Sequence, residues 1–310
     1  MRLRFGSVVA CLLLVALTAA AENGCEEFTK AQKGLEKQAE DGDVQAQLEL
    51  AKFFQCAHKD EQAAKWYRRA ANSGDAFAQN RLGGMYAEGR GVTQDDAEAF
   101  RWFLRAASSG FAPAEMNVGV MFASGRGVKE SQQAAVDWYS RAVKKSYYPA
   151  FSALGKQYMY GRGVEADEAK GFELFQRAAS KGDLAALECL AWAYTNGKGT
   201  PRDYALAAEW NLKAAERGSV LAENNLGFLY DRGGFGLAPD GQKAVYWFGR
   251  AAEHGLAQSI YNLAVLYRLG RGVERNIQES DRLFAVAAGL GVKEPPLKRT
   301  ATESASLGQR

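Results

Sequence analysis

The sequence predicts an all-α fold, a solenoid of seven stacked antiparallel helix pairs. Three observations point there. The first is a period of 36 residues: blocks begin at Asp75, Phe111, Tyr147, Asp183, Ser219 and Leu256, the fifth of these one residue longer, with a shortened block from Asp43 to Gly74 before them. Self-similarity at such a period marks a repeat architecture. The second is an apolar step of four residues, as in Ala78, Leu82 and Tyr86 or Ala150, Leu154 and Tyr158, which is one face of a helix. The third is a glycine pair behind each such stripe.

Each of the six full blocks divides in the same order, whereas the shortened first block has Cys56-Ala57-His58-Lys59 in place of the glycine loop. An opening helix carries a small residue at its ninth position (Gly83, Gly119, Gly155, Ala191, Gly227, Ala264) and an aromatic at its twelfth (Tyr86, Phe122, Tyr158, Tyr194, Tyr230, Tyr267). Glycines then end it, from Gly89 and Gly91 to Gly270 and Gly272, because glycine tolerates the positive φ of a helix end. A closing helix follows with an aromatic pair and two small residues, as in Trp102, Phe103, Ala106 and Ala107. The small residues predict close helix approach, and the aromatics are expected to fill the space between neighbouring pairs. One pair alone buries too little to offset its ordering entropy of about 1–2 kcal/mol per residue, whereas a stack buries enough.

The ends depart from this pattern. Arg2 and Arg4, the apolar run Val8 to Leu17 and the exit Ala19-Ala20-Ala21 describe a secretory signal over residues 1–21, cut before Glu22. The run is too short to span a hydrocarbon core of about 30 Å, so no stable membrane span is expected after cleavage. Residues 22–42 are expected to form a capping helix, with Leu35, Ala39 and Gly42 in closing-helix register; the repeats occupy 43–291, and 292–310 is a polar, proline-broken tail expected to be disordered. Between the ends, Gly-Gly-Phe-Gly at Gly233 to Gly236 breaks the loop pattern, and that loop is expected to protrude.

Charge and chemistry narrow the function. Net charge is +3, and without Arg2 and Arg4 the chain has 37 basic against 36 acidic residues, mixed throughout. That distribution lacks the clustered basic face of a nucleic-acid binder. His58 and His254 are the two histidines, far apart, and no Cys/His spacing suits a metal; no cofactor is expected. The glycine pairs follow helices and lack the Lys-Ser/Thr end of a phosphate loop. No serine has Lys three residues on, the spacing a serine β-lactamase needs. Export places Cys25, Cys56 and Cys189 in an oxidising compartment. A Cys25–Cys56 disulfide would staple the first repeat, two free thiols being the alternative, and Cys189 reads as a packing residue.

The repeated A-x-x-x-L-G-x-x-Y-x-x-G-x-G-V, then A-x-x-W-[YF]-x-x-A-A-x-x-G, resembles the Sel1-like repeat, a relative of the tetratricopeptide repeat. Gly-Arg-Gly-Val stands at Gly89 to Val92, Gly125 to Val128, Gly161 to Val164 and Gly270 to Val273, and the likeness covers residues 43 to 291. The resemblance implies a right-handed α-solenoid whose concave face, lined by opening-helix positions near 3, 6, 10 and 13, binds another protein. Trp192, Phe228 and Tyr261 fall on those positions in adjacent repeats, with Lys156, Met159, Asn224 and Arg268 beside them. Aromatics with Arg and amides are the composition of a binding hot spot, although Trp192 and Phe228 could equally bridge helices as core. The resemblance further implies a non-enzymatic periplasmic or secreted scaffold, an envelope complex component or an immunity protein against a secreted toxin such as a type VI phospholipase. The alternative it offers is a penicillin-binding or β-lactamase-like enzyme of the cysteine-rich kind.

Overall fold

The computed structural model describes residues 33–292. Residues 1–21, Cys25 and the tail beyond Val292 lie outside them, and with them the expected signal, one half of the expected disulfide and most of the tail. Every regular element described is a helix. Residues 33–40 form α1, followed by α2 (Val44–Cys56), α3 (Asp60–Asn72), α4 (Ala76–Glu88), α5 (Asp96–Ser108), α6 (Ala112–Ser124), α7 (Gln132–Lys144) and α8 (Tyr148–Tyr160). Then come α9 (Glu168–Ala179), α10 (Leu184–Asn196), α11 (Tyr204–Ala215), α12 (Val220–Arg232), α13 (Gly241–Glu253), α14 (Ala257–Leu269) and α15 (Ile277–Gly289). The fold class is all-α. The described residues fall into two compact units, divided between Ala166 and Asp167, each a run of helix pairs.

The helix ends are set by local chemistry. Asp43, Asp75, Asp95, Asp167, Asp183, Asp203 and Asp240 stand at N-caps and accept N–H groups of their first turns. Opening helices stop at Gly89, Gly125, Gly161, Gly197 and Gly270 in left-handed conformation. Within a pair, the ninth-position glycine admits the ring of the closing helix: a Cβ on Gly83 would meet Phe103 at 2.8 Å, and one on Gly227 would meet Phe248 at 2.5 Å.

Neighbouring repeats are joined by three devices. Twelfth-position aromatics pack edge-on against the preceding closing helix, Phe122 on Phe100 at 5.3 Å and Tyr194 on Phe172 at 5.4 Å. These rings, and Tyr86, are half-buried, while Leu82 and Met85 beside Tyr86 are fully buried. In five of the repeats the second glycine of the loop lies on the first turn of the preceding closing helix, so that a Cβ on Gly127 would fall 2.0 Å from the Asp96 carbonyl oxygen. The loop arginine adds charge to this contact: Arg126 donates to Asp96 at 2.5 and 3.1 Å, an ion pair that raises the guanidinium pKa.

Buried polar groups complete the stack. Gln79 donates to the Ala71 carbonyl at 3.0 Å, and Gln47 makes the same eight-residue step to Ala39, so α1 occupies the place of a closing helix. In the third and sixth repeats that position holds a buried glutamate, and a cation from the closing helix meets it. Lys145 reaches Glu115 at 2.6 Å, and Arg250 reaches Glu223 at 2.9 Å.

Candidate functional site

In the second unit the opening helices α10, α12 and α14 follow one another through a polar ladder. Ser219 donates to Glu188 at 2.6 Å, and Asn224 accepts from Ser259 at 2.9 Å and Asn262 at 3.3 Å. Trp192 and Phe228 each lie four residues beyond a ladder residue, one turn along the same face. They therefore form a row beside the ladder on adjacent repeats. Trp192 is half-buried and Phe228 is 38% exposed, with the Arg232 guanidinium 4.5 Å from its ring centre. Leu221, seven residues before Phe228, is 58% exposed and extends the apolar stripe of α12.

The other expected contact residues are placed differently. Asn224 belongs to the ladder. Tyr261 turns its ring edge-on to Phe284 of α15 at 5.1 Å. Arg268 also lies over Phe284, donates to Ser280 at 3.2 Å and pairs with Asp281. Tyr261 and Arg268 thus join α14 to α15 within the last repeat. In the first unit Lys156 is exposed on α8, but Met159, expected at the surface, is buried. The turn of α8 that carries Met159 points it inward, where a sulfur side chain packs rather than recognises.

Leu221 and Arg232 were missed by sequence reasoning. Leu221 lies at a third position, on the same register as Phe228, and could have been found by counting back seven. Arg232 carried no such signal, because an arginine in a last helical turn is the ordinary partner of the helix dipole.

The loop after α12 does not simply stand away from the stack. Gly234 and Leu237 exchange backbone hydrogen bonds at 2.7 and 3.0 Å, closing a tight turn. The Phe235 carbonyl accepts the Tyr204 N–H at 2.8 Å, at the start of α11. Among the described residues no group of three or more His, Cys, Asp or Glu side chains is arranged to hold a metal, and no helix is long and apolar enough to cross a membrane.

Seven consecutive segments match the Sel1 repeat family: residues 44–75, 76–111, 112–147, 152–183, 186–219, 220–256 and 257–292. A Sel1 repeat protein from Oxalobacter formigenes is 31% identical with a TM-score of 0.71, over 78% of this chain and 99% of that one. A protective antigen present in uropathogenic Escherichia coli strains, displaying an SLR fold, is 36% identical with a TM-score of 0.67, over 74% of this chain and 49% of its own. DAP3-binding cell death enhancer 1 of Rattus norvegicus is 40% identical over 63 residues, 20% of this chain and 12% of that protein. The chain thus spans about half of the antigen and a small part of the rat protein.

Proposed function

The chain belongs to the Sel1 repeat family, and on that premise we propose that it is a non-enzymatic scaffold that holds another protein along its opening helices. The observation that carries this reading is the row of Trp192 and Phe228 beside a polar ladder, with Leu221 and Arg232 extending it. Glu188 and Asn224 serve the ladder, and one turn beyond each of them an aromatic ring adds apolar surface. Such surface with a guanidinium is where binding energy concentrates. The finer proposal is an exported inhibitor that occludes a secreted toxin, phospholipases being one such class, in the periplasm or outside the cell. It rests on the signal-like residues 1–21 and on the Sel1 resemblance.

Affinity purification of the full chain from an envelope fraction tests this. Trp192→Ala and Phe228→Ala are each expected to weaken capture of the recovered partner by more than about 1 kcal/mol while leaving the melting temperature close to wild type. Leu82→Ala, at a fully buried position, should instead lower stability by about 2–5 kcal/mol. If the two aromatic variants unfold the chain as badly as Leu82→Ala, they are packing residues and the contact surface lies elsewhere.

A further inference from the structure

The loop of the sixth repeat breaks a rule that five other loops keep. In five repeats a glycine with φ between 65° and 72° sits over the first turn of the preceding closing helix: Gly91, Gly127, Gly163, Gly199 and Gly272. Each stands 31 residues beyond the helix residue it covers, as Gly127 does over Asp96. In the sixth repeat the same step from Tyr204 leads to Phe235 and not to a glycine. Phe235 adopts φ 46°, a left-handed conformation that a bulky side chain rarely takes. Gly233, Gly234 and Gly236 around it all have positive φ as well.

What the strained position presents is an aromatic tip under a cation. Phe235 is 54% exposed, its ring 5.0 Å from the Tyr204 ring and 4.8 Å from the Arg202 guanidinium. Three residues back, exposed Arg232 lies on the exposed ring of Phe228 in the same way. The neighbouring carboxylates are committed elsewhere. Asp203 caps α11 by accepting from Leu206, Asp231 pairs with Arg271 at 3.1 Å, and Asp240 caps α13 and pairs with Lys243 at 3.4 Å. A guanidinium stacked flat on a ring keeps its N–H edge outward, in the fork that matches a carboxylate. Backbone strain held at an exposed residue is a common mark of a functional contact.

We propose that Phe235, Tyr204 and Arg202 form a docking tip for an acidic segment of a partner protein, one in which a carboxylate neighbours an apolar side chain. The carboxylate meets Arg202, and the apolar side chain lies against Phe235. This inference rests on the reading that the chain binds protein, and it adds the partner's chemistry and a second point of contact.

A fluorescein-labelled short peptide of alternating Glu and Leu, titrated against the full chain by anisotropy, tests it. A Gln-Leu counterpart serves as control. The Glu-Leu peptide is expected to bind in a salt-sensitive manner and the control to bind much more weakly. Arg202→Gln and Phe235→Gly should each weaken the Glu-Leu peptide about tenfold or more. Phe235→Gly restores the residue that the other repeats use, so its melting temperature should be unchanged or higher. Trp192→Ala should leave peptide binding intact, which separates this contact from the opening-helix row. Equal binding of both peptides, wild-type binding by Phe235→Gly, or a large fall in its melting temperature would each overturn the docking tip. Loss of the native partner in Trp192→Ala would then stand by itself.

Discussion

At the scale of single residues, burial decides chemistry. Tyr139 is 3% exposed, and burial pushes its phenol up to about 12 from 10. Below pH 10 both folded and unfolded forms hold the proton, and its contribution to stability is complete. As pH rises from 10 towards 12 the unfolded chain ionises first, so stability falls across that window. Alkaline titration of the urea midpoint should show this decline, and Tyr139→Phe should flatten it. Tyr67, raised by burial as well, leaves a residual slope. An unchanged profile in Tyr139→Phe would mean that the phenol is hydrated in solution. The same scale explains why Met159 does not serve as a surface contact: a four-residue register places it among opening-helix positions, yet its own side chain is turned into the core.

Between helices, the ninth-position glycine sets how closely a pair can approach. Gly227 and Gly249 make a paired experiment. A Cβ at Gly227 would stand 2.5 Å from the Phe248 ring, which is buried. At Gly249, in α13, a Cβ would meet nothing within 4 Å. Gly227→Ala should therefore destabilise by about 1–3 kcal/mol through overpacking. Gly249→Ala should stabilise by about 0.5–1 kcal/mol through helix propensity. Urea denaturation measures both, and two shifts of the same sign would show that propensity alone governs these positions. The twelfth-position aromatics obey a different rule. They lie between repeats and stay half-buried, so Tyr86 is a joint between repeats and a poor reporter of core stability compared with Leu82.

For the whole molecule, a chain of helix pairs carries its stability as a sum of repeat and neighbour terms. The two units each have their own core: Leu50, Tyr67, Leu82 and Met85 in the first, Leu190, Leu226, Leu229 and Leu266 in the second. Damage to one is therefore expected to stay largely local. Hydrogen exchange should show Leu82→Ala speeding amides of α2 to α5 far more than those of α12 to α15. Uniform acceleration along the chain would instead indicate one cooperative unit.

The sequence by itself determined the repeat, because a period of 36 residues with glycine stops and small residues at fixed positions admits little but stacked helix pairs. It placed the helix stops from Gly89 to Gly270 and the close approach at Gly83 and Gly227, where local sterics act alone. Tertiary structure decided how side chains of equal register are used. Trp192 and Phe228 form a row, while Asn224 joins the ladder and Tyr261 and Arg268 turn to α15. It also decided that Phe235 takes the glycine's place over α11. Period and propensity report one helix at a time, whereas these choices depend on which neighbouring helix offers a hydrogen bond or a ring, and that partner lies about 12 to 38 residues away.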